Sequence, residues 1–136
     1  MYNHGHGVPQ NHATAVRWYR AAAEQGNALA QWSLGFMYDH GHGVPQNHAT
    51  AVRWYRAAAE QGEAVAQHYL GLLYEQGQGV PRNPVSAHMW VNLAAAKGWA
   101  LSAELRERIA SRMTPEQIAQ AQRRASACSA SSYRNC

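Results

Sequence analysis

The sequence holds a single Phe, and its two cysteines, Cys128 and Cys136, are confined to the C-terminal end. No stretch approaches the roughly 18 consecutive apolar residues of a membrane-spanning helix, so membrane insertion is not expected. The opening segment MYNHGHGVPQ lacks the basic stretch followed by an apolar one that marks a signal peptide, so any export signal is expected upstream of it. There is no HExxH, no phosphate-binding Gly-Lys motif, no GxGxxG, no nucleophile elbow and no paired-carboxylate constellation, and an enzyme is not expected. No Lys/Arg run or nucleic-acid motif accompanies the net charge of +4. The arginines are scattered apart from Arg106, Arg108, Arg112, Arg123 and Arg124, which read as a solvated helix face.

What is present is small and aromatic. Much of the 46% hydrophobic content is alanine, and the bulk comes from five Trp and seven Tyr. A core of small residues around a few large rings suits closely packed helices. With 136 residues the chain makes one domain.

The dominant feature is an internal repeat. His4–Gly26 reappears without a mismatch as His40–Gly62, a shift of 36 residues. A weaker third copy keeps Gly77, Gly79, Val80, Pro81 and Asn83, then Trp90, Ala94, Ala95 and Gly98. Such a period marks a solenoid, in which each unit buries its apolar face against the next. Each unit reads as two helices: a first over about 27–39 and 63–75, and a second over about 12–25, 48–61 and 84–97. Asn11, Asn47 and Asn83 are expected N-caps, and Pro84 suits the first helical position. Gly26, Gly62 and Gly98 are expected left-handed terminators, and Gly-x-Gly-Val-Pro a turn. Thr114-Pro115-Glu116-Gln117 is a capping-box start for a last helix to about residue 127.

The repeated positions Ala30, Leu34, Gly35, Tyr38, Gly41, Gly43, Val44, Pro45, Ala51, Trp54, Tyr55, Ala58, Ala59 and Gly62 resemble the Sel-one-like repeat (SLR) over about residues 1–98. Met113–Ala119 and the Cys128…Cys136 tail are similar to the closing segment of bacterial SLR proteins. The resemblance implies an all-α, right-handed α/α solenoid related to tetratricopeptide repeats. It would have three units, at 1–26 (incomplete), 27–62 and 63–98, closed by a two-helix cap over 99–136. Met1-Tyr2 falls on Met37-Tyr38, so the first unit begins at the end of its first helix. The resemblance also implies a non-enzymatic adaptor or scaffold that binds a protein partner, with no cofactor.

A partner surface is read from what differs between copies. The second helices of the first two units are identical, whereas in the first helices Trp32 becomes His68, Ser33 becomes Tyr69 and Phe36 becomes Leu72. In related solenoids the first helix lines the concave face, so Trp32, Ser33, Phe36, His68, Tyr69 and Leu72 are the candidate contact residues. The competing reading is that some of these are core. Trp18, Trp54 and Trp90 share one repeat position and read as core, and Tyr19 and Tyr55 as structural. The incomplete first unit leaves a flank open: either the sequence is a piece of a longer array or another molecule covers that flank, and self-association through Val16, Trp18 and Tyr19 is one expectation.

Two other functions stay open. His4, His6, His40 and His42 place imidazoles in two turns and could bind a divalent metal, although the third turn reads Gln76-Gly77-Gln78 and no Cys or carboxylate set completes a four-ligand site. An immunity or inhibitor protein that neutralises one partner enzyme is the other. Cys128 and Cys136 are far enough apart to close a small loop. By the likeness of the tail they pair, which implies a periplasmic or secreted location; free thiols would leave a cytoplasmic one open.

Overall fold

The computed structural model describes residues 11–136, and its regular structure there is all α-helical. The helices are α1 (His12–Glu24), α2 (Ala28–His40), α3 (His48–Ala59), α4 (Ala64–Gln76), α5 (Pro84–Ala96), α6 (Ala100–Ala110) and α7 (Pro115–Ala130). None is long and apolar enough to cross a membrane among the described residues.

Local chemistry sets the boundaries. Asn11, Asn47 and Asn83 accept hydrogen bonds from the amides of Thr14, Thr50 and Ser86 at 3.0, 3.0 and 3.1 Å, each capping a second helix. Such a cap contributes about 1 kcal/mol. The same helices end in Schellman motifs. At the end of α1, Gly26 N–H donates to Ala23 and Asn27 N–H to Ala22, with Gly26 at φ +91°, where a side chain would be strained. Thr114 and Gln117 complete the capping box of α7 in both directions.

The helix pairs stack as a solenoid of about three units plus a closing helical pair. Residues of α3, α4, α5 and α7 share the main apolar cluster around Tyr55, Leu70, Leu73, Met89 and Trp90. A second cluster joins α1 to α2 through Val16, Ala23, Leu34 and Met37. A third joins α5 to α6 through Ala87, Val91, Leu105 and Ile109. Polar ties recur with the period. Arg20 donates to the Tyr38 hydroxyl and Arg56 to that of Tyr74. Gln31 donates to the Ala23 carbonyl at 3.2 Å and Gln67 to that of Ala59 at 3.1 Å. The two glutamine bonds give the Ala23 and Ala59 carbonyls a second donor beside the Gly26 and Gly62 amides.

The period also runs on past Gly98. Residues 27, 63 and 99 are the N-caps of α2, α4 and α6, so α6 takes the place of a further first helix. Cys128 and Cys136 are bonded, with Cα atoms 4.5 Å apart, and Tyr133 inside that loop lies beneath Lys97 at 5.1 Å. A disulfide is consistent with a periplasmic or secreted location.

One expectation fails. Trp90 is buried at 1% exposure, but Trp18, at the same repeat position, is 76% exposed. Trp90 packs back onto α3 and α4, and Trp54 packs back onto the α1–α2 cluster. Trp18 has no such pair of helices behind it among the described residues. Identical sequence does not give identical burial, because burial here is supplied by the neighbouring unit.

Candidate protein-binding face

The first helices α2, α4 and α6 carry one stripe each, at spacings of three and four that place side chains on a common face. On α2 the stripe is Leu29, Trp32, Ser33 and Phe36; on α4 it is Val65, His68, Tyr69 and Leu72; on α6 it is Leu101, Glu104, Leu105 and Arg108.

All six candidate contact residues are half-buried, which means each packs on one side and meets solvent on the other. Phe36 stands edge-on to Trp32 at 6.3 Å and to Tyr69 at 5.9 Å, so the row crosses from α2 to α4. Such edge-to-face pairs are worth about 0.5–1.5 kcal/mol beyond the area they bury. Tyr69 in turn stacks on buried Tyr55 at 5.5 Å. His68 meets Trp99 at 5.5 Å, and its Nδ1 is 2.8 Å from the hydroxyl of buried Ser102, which carries the row on to α6. Ser33 uses its hydroxyl on the Leu29 carbonyl at 2.8 Å. Leu72 faces the α5–α6 cluster and is the most core-like of the six.

Electrostatics keep the α4 part of this face neutral. Burial first, and then the Arg108 guanidinium, hold His68 below the ordinary histidine range, so it is uncharged at neutral pH. Burial, with Asp39 beside it, pushes the Tyr55 hydroxyl well above the usual tyrosine range. Tyr55 therefore stays a neutral donor to Asp39 at 3.3 Å. Asp39 also takes His48 Nδ1 at 2.9 Å and is fully engaged.

The described histidine turn, His40 to His42, does not form a metal centre. His4 and His6 lie outside the described residues. The rings of His40 and His42 are 5.8 Å apart, His42 stacks on His12 at 5.1 Å, and His40 lies 4.1 Å from the Phe36 ring. Only the His12–His42 pair of these is stacked, and His40 Nδ1 is held 3.0 Å from the Phe36 carbonyl. Among the described residues no group of three or more His, Cys, Asp or Glu side chains is placed to hold a metal ion. That weakens the metal-binding alternative.

The six candidate contact residues leave out Leu29, Leu101 and Arg108. Leu29 and Leu101 are 61% and 62% exposed at one repeat position, and Arg108 shares a position with Phe36 and Leu72. Leu29 differs from Val65 at the same position of the next unit, and extending the period beyond Gly98 brings in Leu101 and Arg108.

The sequence pattern of the Sel1 repeat family matches residues 1–27, 28–63 and 64–99. A protective antigen present in uropathogenic Escherichia coli strains, displaying an SLR fold, is similar in structure. It is 32% identical over 93% of this chain and 28% of its own, with a TM-score of 0.85. A Sel1 repeat protein from Oxalobacter formigenes is 43% identical over 71% of this chain and 40% of its own, with a TM-score of 0.67. The chain thus spans well under half the length of either protein. No curated protein matches it in sequence.

Proposed function

The chain belongs to the Sel1 repeat family, and on that premise we propose that it binds a partner protein across its first-helix face, the concave side of the solenoid. Sel1 repeats are non-catalytic interaction modules, so no reaction is assigned to it. Residues 1–98 serve as the repeat array and 99–136 as its closing cap. Trp32, Ser33, Phe36, His68, Tyr69 and Leu72 are the contact residues, with the aromatic ones as anchors.

The observation that carries this reading is the half-buried aromatic row Trp32–Phe36–Tyr69–His68, which crosses two units. Its rings are held rigid by packing on one side, so a partner orders few side chains by docking on the other. The test is a pull-down from the native organism with the wild-type chain and with a Trp32→Ala, Tyr69→Ala double variant. An Arg17→Ala variant, on the exposed side of α1, is the control. Loss of the partner from the double variant alone, with helical content retained, is expected. Unchanged recovery overturns the assignment.

The exposure of Trp18 supports a second contact, self-association through α1. Val16 is buried against α2, so that contact rests on Trp18 and the open side of Tyr19. A strict monomer in sedimentation at high concentration removes it. The Cys128–Cys136 bond supports periplasmic or secreted residence, since cytosolic thiols are kept reduced.

A further inference from the structure

The three stripes of the first-helix face are not chemically alike. Along the Leu29 position the face stays apolar, through Val65 to Leu101, and the two leucines stand mostly in solvent. Along the Phe36 position it changes from Phe36 to Leu72 to Arg108. The stripes of α2 and α4 carry no Lys, Arg, Asp or Glu, and the single acidic residue of each helix is engaged: Asp39 by His48 and Tyr55, Glu75 by Arg82.

Charge enters only on α6. Arg106 is held by Asn92 at 2.9 Å and Glu107 at 3.3 Å, and Arg112 reaches Glu75 at 3.7 Å. Arg108 is exposed and makes no ion pair among the described residues, yet its charge bears on His68 across the helix boundary. Glu104 lies one turn earlier on the same stripe, which confines the favourable place for an anion to the Arg108 turn. A neutral apolar surface that ends at a free guanidinium has a definite complement. Apolar side chains fill the first part, and a carboxylate at the far end forms a charge-assisted pair with Arg108.

We propose that the first-helix face takes a protein segment that is apolar where it crosses α2 and α4 and acidic where it meets Arg108 on α6. This rests on the first-helix reading of the binding face and names the chemistry of the partner. The segment lies across the helices, with apolar side chains against Leu29, Phe36 and Tyr69 and an Asp or Glu beside Arg108.

The test is selection of a random-peptide display library on the full chain, followed by affinities of the best synthetic peptide by fluorescence polarisation. Enriched peptides are expected to carry apolar or aromatic residues followed by an acid. Arg108→Glu should weaken binding about tenfold or more, and changing the peptide acid to Lys should restore binding to that variant. Leu29→Asp, at an exposed site, should also abolish binding, and circular dichroism checks the fold of both variants. If Leu29→Asp abolishes binding but Arg108→Glu leaves it unchanged, the face stands and the acidic partner is overturned. If neither variant changes binding, or no peptide is enriched, both readings fail.

Discussion

His88 occupies the repeat position that Val16 and Val52 fill in the other second helices, and like them it is buried. Its Nδ1 has no hydrogen-bond partner, an arrangement that typically costs about 1–3 kcal/mol. Burial first, and then Arg106, lower its pKa below the ordinary histidine value, with Glu107 acting weakly the other way. A histidine whose folded pKa is depressed takes up its proton more readily in the unfolded chain. Its contribution is therefore fully present above about pH 6.5 and is lost as the pH falls below that value. The melting temperature should drop on acidification from neutral pH towards pH 5. His88→Val should flatten part of that slope and stabilise the protein most at the acid end. His68 is lowered for the same leading reason, so some slope remains in the variant. Parallel melting-temperature profiles for the two proteins between pH 5 and 8 would refute the assignment to His88.

At the scale of the element, the approach of α2 to α3 and of α4 to α5 is set by a glycine. A Cβ on Gly71 would lie 2.5 Å from Val91 Cγ2 and 2.9 Å from the Ala87 carbonyl oxygen. One of those atoms is backbone and cannot rotate away. At Gly35 the nearest atom is Tyr55 Cδ1 at 2.9 Å, with the Ala51 carbonyl at 3.3 Å. In an open helix, Gly→Ala gains roughly 0.5–1 kcal/mol. Here the sign should reverse, with Gly71→Ala costing about 1–3 kcal/mol through overpacking and Gly35→Ala somewhat less. Urea unfolding measures both, and a stabilised Gly71→Ala would show that the helices can part. Contacts of this kind explain what the sequence made legible. Asn47 and Gly62 act over three to five residues, so cap and terminator are readable from the local string. The register of α6 was not read, because no Gly-x-Gly-Val-Pro turn separates it from α7. Nor could letters alone decide how far Trp32 or Phe36 is covered, since that depends on rings from the next unit. The binding face was legible as a set of helices, and its exposed leucines and free arginine only once the units were stacked.

For the whole molecule, one tryptophan position reports how burial accumulates along the array. Trp18 is exposed, Trp54 is half-buried and Trp90 is buried, although the helices bearing Trp18 and Trp54 are identical in sequence. In a solenoid each unit touches only its neighbours, so stability is a sum of unit and interface contributions rather than a property of one shared core. Among the described residues α1 is tied mainly through its small cluster with α2, whereas α5 packs against α4, α6 and α7. Opening should therefore begin at α1 and reach α5 last. Hydrogen exchange of the isolated chain should show protection rising from α1 through α3 to α5. Trp90→Ala should cost about 3–5 kcal/mol, and Trp18→Ala should stay within about 0.5 kcal/mol. Association through Trp18 would alter this order in a readable way: at high protein concentration α1 would gain protection and Trp18→Ala would remove the gain. A single exchange free energy shared by all helices at low concentration would mean that the units open together, and the nearest-neighbour account of this array would fall.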